Sequence, residues 1–426
     1  MRPALPPVLR HSDFRIFGIG YSISSMGSEF TLLAMAWQMY ELTNSPLQVG
    51  LIGLARVVPL MSMVLIGGVL ADVFDRRRLL MATQVAQFTI SAALVVVTVT
   101  GSATPLILFC GAAALSLCSA LDNPTRVSVV PNLVPQEHLA SGMALMQLQT
   151  KLGSVIGPSL AGVALAIGGP ALCYAADAVS WLALLVALLL VRTSTQTRAV
   201  RGVLSLRSIG PGLRYVRAQP VILSIFVLDF GAQLLGTNRA LLPVYARDIL
   251  DVGSTGLGLL IAASSFGAVV TGMLVGLRPP THRLGVWVLL GVAMYGVCSA
   301  VFALSREFWL SLAMMAGVGA GNAMSVVLRG TVSQLDTPDA LRGRVASVGS
   351  LFTGAGPRLG QTQSGMVAEI IGAPPAAFAG AIATLALTAL IGAVTPLRGY
   401  EPPKAADVRE VVATEGQTEP GLVQPG

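Results

Sequence analysis

Apolar runs of about twenty residues, each ended by a polar or Gly/Pro-containing break, recur along the chain. They predict spans at 14–41, 47–71, 78–100, 105–121, 139–168, 171–191, 220–246, 255–277, 285–304, 308–328, 341–371 and 375–396. A run of this length crosses the hydrocarbon core as a helix, the form that satisfies every backbone polar group within one segment. The pattern therefore predicts an all-α integral membrane protein with 12 transmembrane helices. The first run contains Glu29 and lacks a small-residue cleavage site, so it reads as a retained span and not a signal peptide.

The polar stretch 192–219 separates six runs from six, which sets the expected domains. These are an N-terminus at 1–13, a six-helix bundle at 14–191, a linker at 192–219, a second six-helix bundle at 220–396 and a disordered tail at 397–426. The tail is rich in Pro, Glu and Gln and has no apolar periodicity. Of the 27 basic residues, 21 fall at the termini, in the linker or in connections on one side, against Arg247 and Arg306 on the other. By the positive-inside rule both termini and the linker are cytoplasmic. The halves also share a faint repeat. "VPQEHLASGMAL…TKLGSVIGP" around the fifth run resembles "TPDALRGRVASV…TGAGPRLGQ" around the eleventh. Same-direction repeats of six spans point to two bundles that rock about a central site.

Composition excludes other classes. Hydrophobic residues make up 54% of the chain and charged residues 11%, against roughly 25% charged in a soluble domain. The expected solvent is the lipid bilayer. The net charge of +7 could suggest nucleic acid, but the arginines form no aromatic-interleaved patch, so no nucleic-acid partner is expected. The only lysines are Lys151 and Lys404, and neither completes a phosphate-binding loop. Cys110, Cys118, Cys173 and Cys298 lack paired spacing, and His11, His138 and His282 are scattered, so no metal, disulfide or other cofactor is expected.

Charges inside the runs are the sharpest chemical signal, because an ionised group at mid-bilayer costs several kcal/mol unless it is paired or wetted. Glu29, Asp177 and Asp229 stand against Arg56, Lys151, Arg239 and Arg358, with Glu369 near an outer end. The near balance implies pairs. Glu29 and Lys151 both lie about 20 Å from the cytoplasmic face at 1.5 Å per residue and are close enough in depth to meet. A carboxylate beside a cation can trade a proton as access alternates. Glu29 and Asp229, on the first helix of each repeat, are the proton-coupling candidates, with a fixed ion pair as the alternative for each. Asp177 reads as structural. So do Arg358 and Glu369, on one helical face, with gating as their alternative. Trp37, Tyr40, Trp181, Tyr245 and Trp309 fall near span ends and read as interfacial anchors, with Trp37 and Tyr40 as candidate substrate contacts.

Two motifs carry a resemblance. The connection "GGVLADVFDRRRLL" places Gly67, Gly68 and Asp72 before Asp75 and the run Arg76, Arg77, Arg78. Glycines permit close packing, and an acid can be held or released by the cationic clamp. With twelve spans, this resembles the signature loop of the major facilitator superfamily, although Asp75 replaces that family's usual glycine. The equivalent "GLRPPTHRLG" of the second half keeps Arg278 and Arg283 without an acid. In the fifth run "GSVIGPSLAG", Gly153, Gly157, Pro158 and Gly162 make a smooth strip with a bend. The strip is similar to the one typical of exporters in that superfamily, with Ala161 replacing one glycine and the upstream glycine displaced to Gly142.

"ELTNSPLQVGLIGLARVVPL", "LDNPTRVSVVPNLVP", "YAADAVSW" and "RALLPVYARDIL" further resemble the transmembrane secretion effector branch, which contains enterobactin exporters and some macrolide-efflux relatives. The basic residue that twelve-span drug antiporters carry in span 4 is absent from 105–121. The resemblance implies the major facilitator fold in a bacterial inner membrane. It also implies alternating-access exchange of protons for a small molecule, with the proton gradient as energy source. A siderophore or related metabolite is the leading substrate, and an amphipathic drug or macrolide is the runner-up. A monomer suffices, and an outer-membrane channel is an optional partner. A non-transporting sensor or scaffold is disfavoured by the embedded carboxylates, and an enzyme by the absence of any catalytic constellation.

Overall fold

The structure, a computed structural model, describes residues 7–73, 76–191, 206–280 and 282–401. Long helices follow one another with short breaks: α1 Ser12–Thr43, α2 Pro46–Val73, α3 Arg76–Val99, α4 Pro105–Leu133 and α5 Leu139–Leu190. After α6 (Leu206–Ala218) come α7 Pro220–Gly236, the single turn α8 Leu242–Val244, α9 Gly253–Leu277, α10 Leu284–Leu304, α11 Phe308–Leu335, α12 Asp339–Ile371 and α13 Ala373–Val394. Among the described residues there is no strand.

Helix α5 is two spans. At Gly169 the backbone takes φ 64° and ψ −167°, a region essentially closed to residues with a side chain. Pro170 then opens the second limb, where its missing N–H costs nothing. The break falls in the predicted gap between 168 and 171. Seven described segments are long and apolar enough to cross a bilayer by themselves, Gln136–Leu190 being long enough to do so twice. Helices α1, α2 and α12 fall short of that test and carry Glu29, Arg56 and Arg358.

Within the first bundle α1 packs on α5, α3 on α4 and α5, and α2 on α4; within the second α10 packs on α11 and α13, α11 on α9, and α7 on α12 and α13. The bundles meet along two seams, α2 with α12 and α5 with α9. In each seam the second span of one half meets the fifth span of the other, as a pseudo-two-fold repeat requires. The turn at Asn44, between α1 and α2, lies at the opposite end of α1 from Ser12; these are the distal and the terminal end.

Four expectations are corrected. The run 220–246 is not one helix: α7 stops at Gly236, Thr237 is extended, and Tyr245–Ile249 forms a π turn. Arg239 therefore sits in a break within the span. Helices α4 and α11 run on to Leu133 and Leu335, so Arg126 and Arg329, first counted in connections, are buried in helices. The one-sided basic count falls from 21 to 19, and span 4 does carry a basic residue. The linker contains the amphipathic α6, which meets α7 at a bend of 103° because Pro220 cannot continue a helix. The second bundle extends past 396: Leu397 is fully buried, its carbonyl lies against Gly285, and 402–426 are outside the described residues. Of the predicted anchors, Trp181 and Tyr245 are buried, whereas Trp309 is 76% exposed.

Candidate functional site between the bundles

The distal seam closes through glycines. A side chain on Gly258 of α9 would stand 2.6 Å from the Pro158 carbonyl and 2.7 Å from Gly162 of α5. Across the other seam Gly53 of α2 abuts the Arg358 carbonyl, Gly50 abuts that of Gln361, and the Thr362 hydroxyl donates to the Gly50 carbonyl at 3.0 Å. The exporter-like strip thus serves two neighbours. Gly162 and Pro158 face α9 across the seam, while Gly153 faces Ser25 and Gly157 faces Glu29 of α1. Replacing Gly258 with Val should force the distal ends apart, at about 1–3 kcal/mol. Labelling of a single cysteine at Ser45 by a membrane-impermeant maleimide should accelerate accordingly; an unchanged rate would refute the closure.

Polar contacts complete the distal closure. The Tyr40 hydroxyl donates to the Asp248 carboxylate, and Arg247 stacks over the Tyr40 ring at 5.6 Å while donating to Asn44 Oδ1 at 3.1 Å. The Ser45 hydroxyl and the Leu47 amide both donate to Glu369, at 2.7 and 3.2 Å. Each contact joins the first bundle to the second. Tyr40 and Glu369 therefore belong to the closure. Trp37 donates to Glu41 at 2.6 Å within its own helix, and neither Trp37 nor Tyr40 lines the cavities described below.

Beneath this closure Arg239 meets Glu29 at 3.2 Å across the bundle interface. The break after α7 frees the backbone to turn Arg239 inward, and Gly157 leaves room for the Glu29 side chain. The pair lines a cavity with Leu33, Ile52, Pro158, Leu257 and Gln361. It is partly wetted, with side chains 22% exposed for Glu29 and 43% for Arg239.

A second pair lies deeper in the second bundle. Asp229 of α7 and Arg329 of α11 form a buried ion pair, in which Arg329 also donates to the Ser325 carbonyl at 3.2 Å and Thr353 donates to Asp229 at 3.3 Å. Gln233, Tyr295 and Asn322 line the small cavity beside it. The first bundle has a counterpart. Arg126 pairs with Asp122 one turn earlier on α4 and lies 5.2 Å over Tyr21 and 5.7 Å over Trp181. Arg126 and Arg329 each stand nine residues before a proline, Pro135 and Pro338, in the repeated segment. That spacing was the available signal for both; the hydropathy boundary hid it.

The remaining candidates are placed as follows. Asp177 is fully buried and accepts from Thr31 at 2.7 Å and Ser91 at 2.8 Å, tying α1, α3 and the second limb of α5 together. Arg77 donates to the last carbonyls of α5, Leu188 at 2.8 Å and Leu189 at 3.4 Å, which completes a helix C-terminus. Asp75 lies outside the described residues, as do the surroundings of Gly68 and the side chains of Asp72, Arg76 and Lys151. Glu29 thus finds Arg239 and Asp229 finds Arg329, and among the described residues Arg56 and Arg358 have no carboxylate within 4.0 Å.

Solved transporters share this architecture. A bacterial homologue of the human lysosomal transporter Spinster, in an inward-facing conformation, matches with a TM-score of 0.73 at 14% identity, covering 94% of this chain and all of that one. The nucleoside transporter NupG matches at 0.74 and 14% identity over 92% of this chain and 100% of its own. An inward-facing bacterial homologue of the iron transporter ferroportin matches at 0.68 and 16% identity over 91% of this chain and 98% of its own. Among sequences, the enterobactin exporter EntS of Citrobacter koseri is 27% identical over 428 residues, 93% of this chain and 95% of that protein. The enterobactin exporter EntS of Shigella boydii is 27% identical over 362 residues, 79% of this chain and 80% of that protein. The model of the transmembrane secretion effector family matches residues 3–422. A twelve-run helical chain in two seamed bundles, matched along nearly its whole length, is a membrane exporter of the major facilitator type and belongs to the transmembrane secretion effector family.

Proposed function

We propose that the chain exports a siderophore or a related secreted metabolite across a bacterial inner membrane in exchange for protons, with its terminal end in the cytoplasm. The observation that carries this reading is the Glu29–Arg239 pair, which joins the two bundles beneath a closed distal end. With the basic residues on the cytoplasmic side, distal closure makes this the inward-facing state, ready to receive substrate from the cell.

When the distal ends separate, Glu29 stays with α1 and Arg239 leaves with the α7–α8 break. Parted from its cation, the Glu29 carboxylate is free to accept a proton, and it takes one from outside as substrate departs. On return, Arg239 displaces that proton into the cytoplasm-facing cavity and the pair reforms. Protons enter as substrate leaves, and neither path is open to both sides at once. Asp229 offers a second proton site, its charge held by Arg329 until α7 and α11 move apart.

Siderophore content in cells and medium, measured by mass spectrometry for a deletion strain and its complemented parent under iron starvation, tests the substrate. Siderophore trapped inside and depleted outside is expected. An unchanged distribution would overturn the siderophore assignment and direct the search to amphipathic drugs.

A further inference from the structure

Two arginines remain in the cavity wall with no acid to hold. Arg56 of α2 and Arg358 of α12 line one cavity together with Ser28, Gln87, Ser116 and Ser119. Among the described residues neither has a carboxylate within 4.0 Å of its guanidinium nitrogens. The Arg358 guanidinium bonds to one carbonyl of its own helix, Gly354, at 2.5 Å, while its Nε is buried with no partner. Arg56 lines the same cavity.

The acids nearby are already engaged. Glu29 is bound to Arg239, and Asp177, which lines the far wall, is held by the hydroxyls of Thr31 and Ser91. Two like charges in a poorly screened interior repel each other and lose hydration. As structural elements they would only destabilise the fold, because the seam they sit in is already closed by glycine contacts. Both helices belong to that seam, but α2 is part of the first bundle and α12 part of the second.

We propose that Arg56 and Arg358 form a two-guanidinium clamp for an acidic oxygen group of the exported molecule, a carboxylate or an ionised vicinal diphenol, at mid-membrane between the bundles. The assignment rests on the siderophore reading and names the part of the substrate that is recognised. Ferric ion is bound by anionic oxygens, so its chelators present such groups in pairs, which matches the planar forks of arginine. A bound anion turns the repulsion between the bundles into two attractions. Occupancy therefore adds to the glycine contacts that hold α2 against α12.

The test uses the full chain, purified in detergent, with 2,3-dihydroxybenzoate as the anionic probe and 2,3-dimethoxybenzamide, which has neither acidic group, as the neutral control. By titration calorimetry the wild type should bind the acid at least tenfold more tightly than the amide. Arg56→Gln/Arg358→Gln should bind both alike, and Arg56→Lys/Arg358→Lys should keep part of the preference. The double Gln variant should also melt no lower than the wild type, since it removes an uncompensated repulsion; a clearly lower melting temperature would identify a structural role and overturn the clamp. An acid preference that survives in the double Gln variant would overturn it too. Anionic lipid offers the same chemistry through its phosphate. Loss of the preference in phosphatidylglycerol nanodiscs, with retention in phosphatidylcholine, would assign the arginines to lipid and overturn the substrate clamp. Enterobactin binding equally to wild type and double Gln variant would reject the clamp alone, whereas failure of the whole-cell export assay would reject the siderophore reading.

Discussion

Replacing Asp229 with Asn lowers the melting temperature of the detergent-purified protein, and replacing Arg329 with Gln in the same chain restores most of the loss. The pair is buried between α7 and α11, with Thr353 and the Ser325 carbonyl as its other partners. Removing one member of a buried ion pair leaves the other charge uncompensated, at about 3–5 kcal/mol, whereas removing both costs far less. Thermal unfolding followed by tryptophan fluorescence checks the ordering: Asp229→Asn lowest, the double variant close to wild type. Transport separates the two roles of Asp229. If it carries a proton, the restored double variant folds but does not couple export to a gradient. Full gradient-driven export by that variant would confine Asp229 to structure.

Replacing Glu29 with Gln produces the opposite profile, a small change in stability and a large change in state. The Glu29–Arg239 pair is partly wetted, and pairs of that kind contribute about 0–1 kcal/mol to folding. It nevertheless bridges the bundles, so even ~1 kcal/mol shifts the open-to-closed ratio about fivefold. Asn44 and Arg247 touch at 3.1 Å across the distal closure. Cysteines at those two positions, in a background without the four native ones, report closure by oxidative cross-linking. Glu29→Gln should reduce the cross-linking rate about fivefold and gradient-driven export by at least as much. A wild-type cross-linking rate with normal export would remove Glu29 from both gate and coupling.

The fold was legible because lipid imposes long apolar runs, and most runs became helices, although the run 220–246 broke at Gly236 and the run from 105 continued to Leu133. Gly169–Pro170 was readable because both residues have strong backbone preferences. The stop at Gly236 was not: the polar Thr237, Asn238 and Arg239 sit between two apolar stretches and pass for one run, whereas in the structure they leave the helix where Arg239 meets Glu29. Arg126 and Arg329 were misjudged for a related reason. A lone arginine near a span end looks like a topology signal, and only burial against Asp122 or Asp229 distinguishes it. Embedded charge was visible as a set, but partners 210 residues apart, as for Glu29 and Arg239, leave no local trace.

Coupling of proton entry to substrate exit is the central claim, and reconstituted vesicles test it most directly. Purified protein is placed in liposomes loaded with a pH-sensitive dye, and enterobactin is imposed as the only gradient, with no difference in pH or voltage. The account predicts proton movement opposite to the substrate, dependent on the protein and abolished by Glu29→Gln. Enterobactin crossing the membrane with no accompanying proton movement would contradict it.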